Sequence, residues 1–243
     1  MANMFRKDKY PASNHFQLSM ERSGDEWKGE YTMPDYTITL SRTYGSNGRD
    51  IAHILSEKLG ISYYDRDLLK LASEDSGLDI ELFKKADEVA SPTLFKRKNP
   101  QVGAIGPLHE HHSDYASSDN LMGLQAETIK YLARRENCII VGRCADFILR
   151  EFKNVVRIHI YASPEVSAQR VAARTGVSLE KAAAEVEKTN KLREEHYRYN
   201  TFKDWKNWND STNYDLCINS SKLTSEQCAN IILEYMKTVG YVR

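Results

Sequence analysis

Five short apolar runs, alternating with stretches of helical spacing, constrain this chain more than any other feature. They read YTITL at residues 36–40, ISYYD at 61–65, CIIVG at 138–142, VVRIHIYAS at 155–163 and YDLCINS at 214–220. All have strand length, and CIIVG is apolar without alternation, the pattern of a strand buried on both faces. Strands alternating with helices predict an α/β fold: a parallel sheet of about five strands covered by helices. Ligands of such sheets bind beyond the carboxyl ends of the strands. The residues just after each run are therefore the first to question.

The intervening segments support the same plan. The helix after the first run carries Ile51, Ile54, Leu55 and Leu59 on one face and stops at Gly60. Residues 66–90 read as helical with a break at Gly77, where Asp79 can cap a second segment. Residues 121–136 return to helical spacing, and Pro164 suits the first turn of the next helix. A long charged helix follows over about 178–199. A closing helix has Thr224 as N-cap and Gly240 as terminator. Residues 1–34 are polar without periodicity and read as a flexible leader to one domain over 35–243. Residues 91–120, with three Pro and two Gly, read as a long mobile loop.

Composition narrows the function classes. Lys plus Arg and Asp plus Glu both total 34 in 243 residues, so no global field favours nucleic acid or an anionic membrane. Any anion site is local. The four cysteines show no C-x-x-C pair, which points to reduced thiols and a cytoplasmic setting. No run of about 18 apolar residues exists.

The turn SRTYGSNGRD, residues 41–50, joins the first strand to a helix. That arrangement aims backbone N–H groups at a point where a phosphate can sit. The pattern departs from G-x-x-x-x-G-K-[ST] at three positions: Thr43 for the first Gly, Arg49 for the Lys, and Asp50 for the hydroxyl residue that reaches Mg²⁺. Two other stretches draw notice. HEHH at 109–112 offers metal-ligand types but reads as a solvated loop. The aromatics of 199–215 read as packing of Trp205 and Trp208 at the root of the long helix.

Five stretches in order, SRTYGSNGRDIA, LGISYYDRDLL, CIIVGRCADFIL, VRIHIYASPEVSAQRVAAR and NYDLCINSSKLTSEQCANIIL, resemble the cytidylate kinase-like branch of the P-loop nucleoside monophosphate kinases. The resemblance implies a P-loop NTPase-type parallel sheet with a helical acceptor-binding insertion over 65–135 and a small lid over 174–212. It implies ATP and Mg²⁺ as cofactors, with phosphoryl transfer to a small acceptor such as CMP. Carried over, Gly45, Ser46, Asn47, Gly48, Arg49 and Asp50, with Ser220, bind the donor, and Asp50 faces the metal. Asp65, Arg66, Arg143, Arg170 and Arg198 bind the acceptor, and Arg49, Arg143, Arg174 and Arg193 neutralise the transferring group. Two rivals stay open: a nucleotide sensor that kept the fold and lost the chemistry, and a kinase of a non-nucleotide metabolite.

Overall fold

The computed structural model describes residues 34–65, 67–88, 118–201 and 207–243. Arg66, Trp205, the 109–112 stretch and residues 1–33 lie outside them. Five strands form one sheet: β1 Thr37–Arg42, β2 Ser62–Tyr64, β3 Cys138–Val141, β4 Val155–Tyr161 and β5 Leu216–Asn219. Their order is β2-β3-β1-β4-β5, and every pairing is parallel. The expected five-stranded parallel sheet is thus present.

Helices α1 Gly48–Leu59 and α8 Ser225–Thr238 cover one face. Ile38 and Leu40 of β1, Ile158 and Ile160 of β4, Ile51 and Leu55 of α1, and Ile232 and Met236 of α8 form the core there. Against the other face lie α2 Asp67–Ser76, α4 Ser118–Arg135 and the short α5 Ala145–Ile148, where Leu68, Ile129, Ile140 and Leu149 pack together. Two-sided burial explains why β3 carries four buried apolar residues in a row.

Local chemistry fixes the helix ends. Gly60 closes α1 in the left-handed region. The break near Gly77 separates α2 from α3 Ile80–Glu88, and Asp79 Oδ1 accepts from Glu81 N at 2.9 Å. Ser163 caps α6 Pro164–Thr175, and Ser178 caps α7 Leu179–Asn200. Thr224 and Gln227 form a reciprocal capping box on α8. The helix α5 was not anticipated, since four residues are too few to show a period. Among the described residues no helix is long and apolar enough to cross a membrane.

Ile38 is fully buried in the central strand. Ile38→Ala is expected to cost about 2–5 kcal/mol of unfolding free energy. Val239→Ala, on an exposed side chain, should stay within about 0.5 kcal/mol; urea unfolding of both variants measures the difference.

Candidate active site

The first strand ends in a loop whose shape depends on two special backbones. Gly45 has φ 82°, and a Cβ there would lie 2.7 Å from the Ser167 carbonyl of α6, so only glycine allows the loop to press against that helix. Asn47, at φ 63°, turns the chain into α1. Ser46 Oγ donates to Thr43 O at 2.8 Å, and the helix ladder begins with Ile51 N donating to Asn47 O at 3.0 Å. The N–H groups of Gly48, Arg49 and Asp50 then have no carbonyl one turn earlier in α1, which leaves a positive end at the sheet edge.

Arg170 and Ser220 brace this loop from the side. Arg170 Nη2 donates to Ser220 O at 2.7 Å, and Nη1 reaches Ser220 Oγ at 3.1 Å and Gly45 O at 3.4 Å. Ser220 Oγ donates to Ser46 O at 2.9 Å. These bonds engage loop carbonyls, so the loop can present N–H groups on its other side. Tyr44 fastens the loop to α7: its N–H donates to Asn190 Oδ1 at 2.7 Å and its hydroxyl to Glu185 Oε1 at 2.9 Å. The guanidinium carbons of Arg174 and Arg193 lie 5.3 Å and 5.6 Å from the Tyr44 ring centroid.

Beside the loop opens a cleft of about 400 Å³, lined by the strand ends and α7. Asp65, after β2, is its buried anion. Its Oδ2 accepts from Arg49 Nε at 2.8 Å, with Arg49 Nη2 at 2.5 Å, and Arg42 Nη2 lies 3.4 Å from Oδ1. Gly142, Arg143 and Cys144 follow β3 with φ of 77°, 60° and 53°. A Cβ at Gly142 would overlap the Arg42 guanidinium, so the glycine makes room for that arginine. Two successive non-glycine residues in the left-handed region are uncommon. Here they reverse the chain at the mouth of the cleft.

Arg193 reaches in from α7, and its Nη1 donates to Arg42 O at 2.9 Å. Burial, then the neighbouring Arg42, lowers its pKa to about 9, which leaves it charged at neutral pH. Asp146, Tyr197, Trp208 and Ser41 also line the cleft, and His159 backs Ser41 from outside the lining. Tyr197 donates to Asp146 Oδ2 at 2.7 Å, and burial raises the Asp146 pKa. Trp208 Nε1 donates to Ser41 Oγ at 2.8 Å; His159 Nδ1 lies 3.2 Å from the same oxygen. Burial lowers His159 to about 4, so this imidazole is neutral at pH 7. Four arginines, Arg42, Arg49, Arg143 and Arg193, thus share the lining with two carboxyl groups, Asp65 and Asp146.

Of the residues singled out from sequence, Arg49, Asp65, Arg143 and Arg193 come together in this cleft. Gly45, Ser46, Asn47 and Gly48 form the loop. Asp50 lies exposed in the first turn of α1 and does not line the cleft. Arg170 and Ser220 brace the loop, Arg174 sits exposed over Tyr44, and Arg198 is exposed outside the cleft lining. Arg66 lies outside the described residues. Arg42, Asp146 and Tyr197 were not anticipated. Arg42 carried a usable signal, since it ends the first strand at the ligand-binding edge; nothing in the sequence pointed to Asp146.

Comparison with known proteins places this geometry in a family. The model of the cytidylate kinase-like family matches residues 37–222. A cytidylate kinase of Archaeoglobus fulgidus is 28% identical over 203 residues, spanning 81% of this chain and 92% of the relative. One of Pyrobaculum arsenaticum is 31% identical over 155 residues, 63% of this chain and 80% of its own. An uncharacterized protein from Eubacterium ventriosum, 24% identical, superposes with a TM-score of 0.61 over 84% of this chain and 99% of its own, which shows a shared fold. The matched span runs from β1 through Ser220 and contains the whole cleft lining, and the chain belongs to the cytidylate kinase-like family.

Proposed function

We propose that the protein transfers the γ-phosphoryl group of ATP to a small anionic acceptor, and that the acceptor is a nucleoside monophosphate, with CMP the first to test. The observation that carries this reading is the N–H-bearing turn at the start of α1 beside a cleft with four arginines and two buried aspartates, of which Asp65 pairs with Arg42 and Arg49. The matching cytidylate kinases support the acceptor class. In this reading the donor triphosphate lies against the N–H groups of Gly48, Arg49 and Asp50 at the start of α1, the Ser46 N–H being given to Thr43 O. Arg143 and Arg193 grip the acceptor phosphate, and Asp65 accepts its hydroxyls.

Transfer forms a bond from an acceptor phosphate oxygen to Pγ and breaks the bond from Pγ to the bridging oxygen of the departing ADP. The attacking oxygen is already anionic, so positioning and charge neutralisation suffice, and Arg49 and Arg193 supply positive charge. Residues 65–135 serve as the acceptor-side insertion and 174–212 as the lid.

Among the described residues no group of three or more His, Cys, Asp or Glu could hold a metal. A Mg²⁺ arriving with its nucleotide needs only one or two carboxylates besides phosphate and water. Asp50, an exposed carboxylate in the first turn of α1, has suitable donor chemistry and would hold it directly or through water. There the ion would neutralise charge between the phosphates. The free thiols support a cytoplasmic setting.

The engagement of Arg49 by Asp65 favours one second reading, a nucleotide sensor without turnover. Labelled ATP with a panel of monophosphates and non-nucleotide acceptors separates the two. We expect the highest kcat/KM with CMP; ATP binding without transfer to any acceptor would establish the sensor instead. Arg143→Ala should lower kcat/KM for the acceptor at least about tenfold, since one charge-assisted phosphate contact is worth about 1.5–3 kcal/mol. Unchanged steady-state kinetics would remove Arg143 from the acceptor site.

A further inference from the structure

Arg49 stands where a P-loop lysine would reach the donor phosphates, yet its guanidinium is engaged elsewhere. Its side chain is 53% exposed, but both Nε and Nη2 meet Asp65 Oδ2, at 2.8 Å and 2.5 Å. An exposed ion pair is usually worth little. Here the carboxylate side is only 9% exposed, and Arg42 holds its second oxygen at 3.4 Å. Arg42 is itself fixed, with its guanidinium packed over Gly142 and its carbonyl accepting from Arg193. The carboxylate therefore cannot follow Arg49 toward the donor loop. Any movement of Arg49 onto a triphosphate must break the pair.

We propose that Asp65 is a positioning residue that holds Arg49 off the donor phosphates until an acceptor engages the carboxylate, coupling the two substrates through this one ion pair. The inference rests on the donor and acceptor sites assigned under Proposed function. A hydroxyl or amino group of the acceptor that donates to Asp65 competes for the oxygen that Arg49 occupies. An acceptor phosphate beside Arg42, Arg143 and Arg193 replaces the negative charge that Asp65 supplies to that cluster. Both effects release Arg49, whose nearest new anion is the donor. By linkage the effect is reciprocal: acceptor tightens donor by the same factor that donor tightens acceptor.

Calorimetric titration with the β,γ-imido analogue of ATP, with and without CMP, tests this without turnover. In the wild type, CMP should tighten the analogue about tenfold, the size of one charge-assisted hydrogen bond. Asp65→Asn should give most of that gain without CMP and leave CMP little further effect. Arg49→Gln should lose the CMP-induced tightening, and adding Asp65→Asn to it should shift affinity by less than about twofold. A general field effect of removing a carboxylate would persist in that double variant and overturn the proposal, as would CMP-induced tightening that survives Arg49→Gln. Arg49→Gln alters an exposed side chain, so the test stands even if Asp65→Asn does not fold. Analogue binding with equal affinity across all variants, indifferent to CMP, overturns this inference alone; no analogue binding by the wild type overturns the donor-site reading beneath it.

Discussion

Everything at the site follows from the two-sided parallel pairing of β1. Ile38 aligns with Ile139 of β3 on one side and Val156 of β4 on the other. Parallel neighbours cannot be joined by tight hairpins, so each connection crosses a face of the sheet and returns to the same end. All five strands thereby deliver their last residues to one edge. The chain leaves β1 for an edge strand on one side, β2, and later fills β4 and β5 on the other. The crevice forms where those directions diverge. The loop, Asp65 and the Gly142–Arg143–Cys144 reversal meet there because strand pairing leaves them no other place.

The second constraint is electrostatic. The chain carries no net formal charge, yet the cleft lining holds four arginines against two carboxyl groups. Confining like charges in a partly buried space is costly: burial first, and then the neighbouring Arg42 charge, lower the pKa of Arg193. Asp65 holds Arg42 and Arg49 by ion pairs, and the other contacts around the cluster are not themselves ionic. Backbone carbonyls accept from Arg170 and Arg193, and an aromatic ring lies against Arg174 and Arg193. An anionic ligand would relieve the crowding.

The fold was largely legible in the sequence because burial on both faces leaves continuous apolar runs, and because caps such as Ser163, Ser178 and Thr224 are chemical necessities at helix ends. The site was legible only in part. Arg49, Asp65 and Arg143 could be named because strand ends converge on one edge. Glycine spacing drew notice to residues 43–50 and away from Arg42, one position earlier. Asp146 and Tyr197 were hidden because their pairing spans 51 residues, and no local pattern records a bond between a four-residue helix and a 22-residue one. Arg170 shows the converse difficulty: an arginine on a helix gives no sign in sequence that its donors serve backbone carbonyls.

Helix α7 grips three different elements along one stripe. Asn190 holds the loop at Tyr44, Arg193 the end of β1, and Tyr197 the buried carboxyl of α5. The spacings of three and four residues keep the three on one side of a helix that advances about 100° per residue. A single-residue insertion between Asn190 and Tyr197 would swing the later grips around the axis, while a substitution on the exposed face other than at Glu185, which accepts from the Tyr44 hydroxyl, would disturb none of them. Length, more than composition, is therefore what this stretch of chain must preserve through descent, and relatives can be expected to vary freely in its charged outer residues but not to gain or lose one.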